Sequence, residues 1–576
     1  MSAATTSTSQ PRRAWGWQEL GRLTPAITLL LPSTVLMLLF LGALIILLSY
    51  TVRPSATLAH PLTLSAYGRF FSDPYARLLT RNTLLLGGIV TFGTLIVGYP
   101  TAYALARLRS PRLVLLVSLA LFAPLLVSVV IRAYGWLVLF SSKGLINFVL
   151  QKTGLIHEPL RLLYTPWSVE VSLIHILMPF MVFPIFSVLR QIDISLEEAA
   201  HDLGSGPWQT FRRVTVPLSL PGVIAGIQIV FSLCISAYVS PALLGGGHVL
   251  VLAPAIYQTM IDIDWPLAGV MTLALLVLSL LVLLALNFLS RRMFTHEQLG
   301  RAGTVPASSR HPAAYAWLAL VAAFMILPIA IVIIDSFNAV AYSVFPPPGL
   351  SLRWYAHLFT ALDWKPALRN SLIIASAAGV IAVGAGTLAA YAMARYVAGG
   401  REFVRAVFFG PFLVPRVGIG LAFFILMLKL HLYGSLVSLI LAHAVITLPF
   451  AVAIMAAAFV AVPRVFEECA MDLGAGPVRT FLSVVVPQVA PAVLVSLVFT
   501  FVTSLDELET SLFLVRPGNQ TIPIAMLTYM FQYQDPTIAA LASILVGVSI
   551  AAVAAVVFLI RRGRFASTLA ASVSER

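Results

Sequence analysis

The sequence predicts an all-α, polytopic membrane protein with about 12 transmembrane helices, arranged as two pseudo-symmetric six-helix halves. Of its 576 residues, 60% are hydrophobic and only 10% are charged, whereas about 25% of the residues in a soluble globular domain are charged. The mean hydropathy is +0.96. These values exclude a string of soluble domains. A block of 22 residues that recurs at an offset of 270 positions predicts the two halves.

Twelve segments are long and apolar enough to cross a membrane. A spanning helix needs about 20 apolar residues, because the hydrocarbon core is about 30 Å thick and each helical residue rises 1.5 Å. The first segment is longer than the apolar core of a signal peptide, so we expect an uncleaved helix. The segments are 26–50, 82–106, 113–131, 169–189, 218–243, 266–290, 314–335, 370–394, 405–428, 433–462, 489–513 and 537–560.

The distribution of basic residues predicts that both termini are cytoplasmic. With this orientation, 22 of the 36 Lys and Arg residues lie inside, 13 lie outside and one, Arg416, lies in the ninth span. The net charge of +14 is then a topology signal, and we expect a lipid bilayer rather than a nucleic acid as the partner. The expected regions are an N-terminal tail (1–25), a first half (26–290), a cytoplasmic linker (291–313), a second half (314–560) and a C-terminal tail (561–576).

The repeated block predicts a compact helix-turn-helix on the cytoplasmic side of each half. Residues 197–218 and 467–488 are identical at 13 of 22 positions, and each copy lies between the fourth and fifth spans of its half. In the first copy Gly204 and Gly206 allow a sharp turn, and Pro207 suits the first turn of a second short helix. A second repeat, at an offset of 288, relates Tyr103–Arg107 to Tyr391–Arg395.

At this block the chain resembles the membrane subunits of bacterial ABC importers. Their loop pattern, Glu-Ala-Ala followed by Gly and an aliphatic-x-aliphatic-Pro ending, is met by Glu198–Ala200, Gly204 and Val214–Pro217. The second copy also fits, although Cys469 replaces the middle Ala. The resemblance implies a type I ABC importer fold in which each loop docks on an ATPase subunit. The residues it assigns to coupling are Glu197, Glu198, Ala199, Asp202, Gly204, Gly206, Pro207, Glu467, Glu468, Asp472, Gly474, Gly476 and Pro477.

Within this superfamily, the two halves resemble the two spermidine/putrescine permease subunits, fused here in one chain. The likeness rests on Arg132-Ala-Tyr-Gly-Trp136 and Pro241–Gly246 in the first half, and on Asp335-Ser-Phe-Asn338 and Ser504–Glu507 in the second. It implies a bacterial inner-membrane location, two copies of an ABC ATPase subunit, an external solute-binding protein and a small-molecule substrate. The sequence has no GxxxxGK[ST] phosphate loop, so we expect no enzyme activity or cofactor in this chain, with ATP and Mg in the partner ATPase subunits.

Five carboxylates lie within or at the ends of predicted spans: Glu170, Asp335, Asp506, Glu507 and Glu509. A charge in the membrane costs at least about 2.5 kcal/mol, so each needs a cavity, a partner or a function. On a continuous helix Asp506 and Glu509 would share a face. We predict that these acids bind a cationic substrate, favouring a polyamine. The candidate aromatic walls of the site are Tyr134, Trp136, Tyr238 and Tyr529.

Other interpretations stay open on sequence alone. The acids could instead mark a solvated helix end, and His175 and His443, in equivalent spans, are expected to make helix contacts rather than bind ligand. No metal site is predicted, yet a ferric-iron permease of the same superfamily is an alternative, since fused permeases are familiar in that branch. A secondary transporter driven by an ion gradient would explain the acids but not the paired cytoplasmic blocks.

Overall fold

The described part of the chain is built from helices, which confirms the predicted fold class. The structure is a computed structural model that describes residues 17–53, 62–108, 110–193, 195–293, 312–360, 364–397, 400–533 and 535–551. Within these ranges the extended pairing is limited to one isolated bridge between Asn338 and Leu350. Most of the predicted N-terminal tail, linker residues 294–311, the end of the twelfth span and the C-terminal tail lie outside the described residues.

The first half contains long spanning helices separated by short ones. Prolines begin many of them, because proline fits the first helical turn without losing a hydrogen bond. The helices are α1 (Trp17–Thr51), α2 (Ser65–Ser72), α3 (Pro74–Ala106), α4 (Pro111–Phe122), α5 (Val129–Phe140), α6 (Leu145–Lys152), α7 (Pro166–Leu189), α8 (Ser195–Asp202), α9 (Pro207–Thr210), α10 (Val216–Ser236), α11 (Val239–Leu244), α12 (Leu252–Ile261) and α13 (Trp265–Met293).

The second half repeats this order with different breaks. Its helices are α14 (Pro312–Asp335), α15 (Arg353–Thr360), α16 (Trp364–Arg395), α17 (Arg401–Phe408), α18 (Gly410–Leu413), α19 (Arg416–Lys429), α20 (Leu436–Ala461), α21 (Val465–Asp472), α22 (Pro477–Thr480), α23 (Val486–Leu505), α24 (Ser511–Leu514), α25 (Ile522–Gln532) and α26 (Thr537–Ala551). Within the described residues, ten helical segments are long and apolar enough to span a membrane, and three shorter apolar helices accompany them.

Four predicted spans are interrupted rather than continuous, namely 113–131, 218–243, 405–428 and 489–513. The segment 113–131 divides between α4 and α5, because Val127 is extended and the Ser128 side chain caps the new helix by accepting from Val130 N. The segment 405–428 divides into α17, α18 and α19 around Pro411 and Pro415. Apolar composition alone could not reveal the breaks within 113–131 and 405–428, because it runs on through them.

The first span of each half packs against the other half. Helix α1 contacts α16 and α19, and α14 contacts α3, α4 and α5. The α5–α14 contact is close at Gly135, where an added Cβ would lie 2.6 Å from Pro328 O, so this position requires glycine. Trp317 on α14 donates through Nε1 to Thr101 Oγ1 at 3.0 Å. Because the first span of each half packs on the other half, these contacts hold the two halves together.

Candidate functional site

The first repeated block forms the predicted helix-turn-helix. Helix α8 ends at Asp202, and Gly204 then takes a left-handed conformation with φ of +83°. Gly206 caps α9, which begins at Pro207. A π-helical turn, Phe211–Thr215, leads directly into α10. This turn folds the two short helices back on each other. Its left-handed conformation is one that only glycine adopts at little cost.

The second block has the same structure in its own half. Helix α21 ends at Asp472, Gly474 has a φ of +86°, and Gly476 caps α22, which begins at Pro477. A second π-helical turn, Phe481–Val485, leads into α23. Two segments separated by 270 positions have thus adopted the same backbone path. We call residues 195–210 and 465–480 docking loop 1 and docking loop 2, after the role that the resemblance leads us to expect.

Both docking loops expose apolar side chains at their tips. Leu203 is 87% exposed and its counterpart Leu473 is 90% exposed, with Trp208 and Val478 beside them also open. Exposed apolar clusters with a polar rim are typical of protein interaction sites. The other predicted coupling residues on these surfaces are also exposed, namely Glu198, Ala199, Asp202, Glu468 and Asp472.

Glu197 and Glu467 differ from their neighbours because their side chains turn inward. Glu467 Oε1 accepts from Arg395 Nε at 2.6 Å, and its Oε2 accepts from Tyr391 OH at 2.8 Å. Glu197 pairs with Arg107 and accepts from Thr215 Oγ1 at 2.8 Å. The repeat of Tyr103–Arg107 and Tyr391–Arg395 was the signal of these partners, but sequence reasoning gave it no role.

The acidic segment Asp506–Glu509 is not helical, which corrects the prediction that Asp506 and Glu509 share a helix face. Helix α23 ends at Leu505 and α24 begins at Ser511, so the acids lie in the break between them. Glu507 is buried, and its Oε2 lies 2.7 Å from Arg416 Nη1. Its Oε1 accepts from Thr510 N at 3.0 Å. Arg416, the charged residue within the predicted ninth span, therefore neutralises Glu507 of the predicted eleventh span.

The other two acids of this segment reach the first half. Asp506 Oδ1 accepts from Val129 N at 2.8 Å, at the first turn of α5, and its Oδ2 lies 3.5 Å from Arg132 Nη2. Glu509 accepts from Tyr238 N at 3.2 Å, next to α11. A carboxylate at a helix N-terminus compensates its unpaired amides. Sequence reasoning found the acids and Tyr238 but not Arg132 as a partner.

The two equivalent histidines make helix contacts, as expected. His443 Nδ1 and Nε2 lie 2.7 Å from Ser504 Oγ and Ser511 Oγ, so the ring bridges the break that holds the acids. His175 Nε2 lies 3.1 Å from Met325 O on α14. Trp136 is buried against His175, with ring centroids 5.5 Å apart. Trp136 therefore sits in the contact between the halves rather than on an open wall.

Asp335 holds the loop that follows α14. Its Oδ2 accepts from Tyr134 OH and from Ser343 Oγ, both at 2.8 Å, and its Oδ1 accepts from Asn338 Nδ2 at 3.3 Å. The carboxylate is buried. Two predicted site residues, Asp335 and Tyr134, thus come together, in a network whose acceptors are satisfied by protein donors.

Glu170 and Tyr529 stand apart from these networks. Glu170, on α7, is half-buried and has no hydrogen-bond or ion-pair partner among the described residues. Tyr529 donates to Asp535 Oδ2 at 2.8 Å and lines a cavity of about 270 Å³ with Trp364 and Asn370. The lining of that cavity does not include the acidic segment. No cluster of His, Cys, Asp or Glu suited to a metal ion occurs within the described ranges.

Helical spans in two related sets, each with its own docking loop, define a membrane permease of an ABC importer. The chain belongs to the family described as binding-protein-dependent transport system inner membrane component, whose model matches residues 19–295 and 382–564. The two matched segments fall one in each predicted half. This family membership confirms the resemblance found at the repeated blocks.

Individual relatives carry polyamine names. The chain is 33% identical over 242 residues to the spermidine/putrescine transport system permease protein PotB of Haemophilus influenzae, covering 42% of this chain and 84% of that protein. It is 34% identical to PotB of Escherichia coli, with 43% and 91% covered. The putrescine transport system permease protein PotI of Escherichia coli is 30% identical, with 39% and 82% covered. Each relative thus matches less than half of this chain.

Two solved structures also align with the chain. A bacterial ABC transporter involved in the import of the acidic polysaccharide alginate aligns over 48% of this chain and 99% of its own, with 21% identity and a TM-score of 0.42. A bacterial alginate ABC transporter in complex with an alginate pentasaccharide-bound periplasmic protein covers 49% and 98%, with 22% identity and a TM-score of 0.41.

Proposed function

We propose that this chain is the complete permease core of an ATP-driven importer, with two ATPase subunits bound at docking loops 1 and 2. The observation that carries this proposal is the pair of exposed tips. Both tips present a leucine, Leu203 or Leu473, at the equivalent position of the loop, and both leucines are almost fully exposed. A pair of similar loops, one in each half, suits two copies of one partner.

ATP hydrolysis would act through these loops on the two halves. In this proposal the division into 26–290 and 314–560, joined by the linker 291–313, gives one loop to each half, with both termini in the cytoplasm. Closure of the ATPase subunits would draw the loops together and rock the halves around the first spans α1 and α14. An external binding protein would deliver the solute to the opposite face.

We propose a polyamine or a similar small amine as the solute. The names of the relatives support this choice, as does Glu170, a half-buried carboxylate without a basic partner in the described chain. A protonated amine could supply the missing positive charge. The acids at 506, 507 and 509 already have protein partners, so in this proposal they shape the pathway and bias its charge, with Tyr238 and Tyr529 as candidate aromatic contacts.

The docking proposal is tested by replacing the tip leucines. In Leu203→Asp and Leu473→Asp, a charge replaces the apolar tip without changing the turn, so we expect the ATPase subunit encoded with this permease to be lost from the purified complex. Leu155→Asp is the matched control, because Leu155 is 72% exposed and lies outside both loops. Retention of the ATPase by the double tip variant would refute docking at these loops.

A further inference from the structure

Each docking loop is tied to one long membrane helix through a shielded carboxylate. In docking loop 2 the Glu467 side chain is only 6% exposed and contacts Arg395 Nε at 2.6 Å. Arg395 is the last residue of α16, and its Nη2 also donates to Val462 O at 2.9 Å. One guanidinium therefore joins α16, the end of α20 and docking loop 2.

Docking loop 1 has the corresponding tie. Glu197 pairs with Arg107, directly after α3, and both side chains are largely shielded. The remaining polar partner differs between the halves: Glu197 accepts from Thr215 of the π-helical turn, whereas Glu467 accepts from Tyr391 of α16. The position equivalent to Thr215 is Val485, which has no hydroxyl. The ion pair is thus the feature that both halves share.

These pairs differ in physical character from the other ion pair of docking loop 2. Arg464 and Glu468, at 3.3 Å, are 62% and 54% exposed, so water screens their attraction and their geometry is loose. The attraction within a shielded pair is stronger, because the effective dielectric constant around it is lower. Removal of either partner strongly destabilises the structure, because the other charge is left shielded and unpaired. The shielded pairs are therefore the stiff connections, and the exposed pair is not.

The helices that receive these ties are central to their halves. Helix α3 packs against α7 and α10, and α16 packs against α20, α23 and also α1 from the other half. When a docking loop moves, it therefore displaces Arg107 or Arg395, and with it a helix that packs against several others of that half. The tip surfaces themselves contact none of these spans through a comparable polar link within the described residues.

We infer that Glu197–Arg107 and Glu467–Arg395 are the transmission links of the importer: positioning residues that pass movement of each docking loop to α3 and α16. The inference rests on the proposed docking of ATPase subunits at these loops. It assigns the first glutamate of each block to a partner within the permease, and leaves the exposed Glu198 and Glu468 to face the ATPase.

The experiment uses the full chain with its ATPase subunit and binding protein in proteoliposomes, and measures three quantities: ATPase retained on purification, ATP hydrolysed, and labelled spermidine taken up per ATP. Glu467→Gln and Arg395→Gln should retain the ATPase but lower uptake per ATP about tenfold, because hydrolysis no longer moves α16. Arg69→Gln, which breaks the Arg69–Asp264 pair outside both docking loops, should leave all three quantities unchanged.

Two further variants guard against a simple folding defect. The exchange of Glu467→Arg with Arg395→Glu should recover part of the lost uptake per ATP. Tyr391→Phe removes one hydrogen bond and keeps the ion pair, so uptake per ATP should fall no more than about fivefold. Unchanged uptake per ATP in Glu467→Gln overturns the inference. So does loss of the ATPase from that variant, since the pair would then only hold the loop's shape. Absence of the ATPase from the wild-type chain would instead reject the docking proposal itself.

Discussion

Arg416 Nη1 lies 2.7 Å from Glu507 Oε2. Arg416 is the first residue of α19, and Glu507 lies in the break that follows α23. The pair joins two interrupted helices of the second half, and the neighbouring Asp506 and Glu509 continue across to the first half. Asp506 and Glu507, which looked like free ligand groups, are therefore ion-paired, whereas Glu509 accepts only a backbone N–H within the described residues. This relationship determines which acids can be removed without damage to the fold.

We expect strong non-additivity between Arg416 and Glu507. Arg416→Met leaves the buried Glu507 carboxylate without its partner, a change that costs about 3–5 kcal/mol. Glu507→Gln should cost less, because the Arg416 side chain that it leaves unpaired is 32% exposed. The double variant removes both charges and should lose less than the sum of the two single losses. The measurement is the unfolding midpoint of each variant in detergent. Additive losses would show that the two side chains do not interact.

Asp506→Asn should weaken the contact between the halves. The amide oxygen can still accept from Val129 N, but Arg132, whose Nε and Nη1 have no hydrogen-bond partner among the described residues, loses its counter-charge. We expect a lower unfolding midpoint than in Asp472→Asn, the exposed control in docking loop 2. Equal midpoints for the two variants would mean that the Arg132–Asp506 pair contributes nothing.

Glu170→Gln should affect transport more than stability. Glu170 has no protein partner to lose among the described residues, so its unfolding midpoint should remain at the wild-type value. If it attracts a cationic solute, the half-saturating spermidine concentration should rise about tenfold, equivalent to about 1.4 kcal/mol. Glu158→Gln, on an exposed loop, is the control. An unchanged half-saturating concentration would remove Glu170 from the solute pathway.

Gly474→Val and Gly204→Val should uncouple ATP hydrolysis from uptake. Both glycines have positive φ, a conformation that costs other residues about 1–2 kcal/mol, so the turn between the short helices would rearrange. No atom lies within 4 Å of the Cβ position, so the effect would come from the backbone rather than from crowding. Gly68→Val is the control, since Gly68 lies outside both docking loops and no atom lies within 4 Å of its Cβ position. Normal coupled uptake by Gly474→Val would contradict the role of the turn.

The sequence was sufficient for the parts of the molecule that local patterns specify. Apolar segments located most of the spans but missed the candidate span Val129–Lys152, and the repeated Gly204 and Gly474 located two sharp turns that the structure contains. The break at Val127 was not predictable from composition, because apolar residues continue through it. The acids after Leu505 marked the place of the other break, but their spacing was interpreted on a continuous helix.

The same limit applies to the acids. The sequence shows that they lie in apolar surroundings. Because it is costly to bury a charge there, each acid was expected to need a partner. Their partners Arg132 and Arg416 lie on helices that approach only in the folded chain. The sequence does carry a signal for the link between Glu467 and Arg395, because both residues belong to segments that recur in the two halves.

The stoichiometry of the purified complex shows whether one chain forms both halves of the permease. If one chain supplies both halves of the permease, native mass spectrometry of the detergent-solubilised complex should find one 62.1 kDa permease chain with two ATPase subunits. The double variant Leu203→Asp/Leu473→Asp should release both ATPase subunits from it. A complex with two permease chains and two ATPase subunits, or a permease that carries none, would contradict the account.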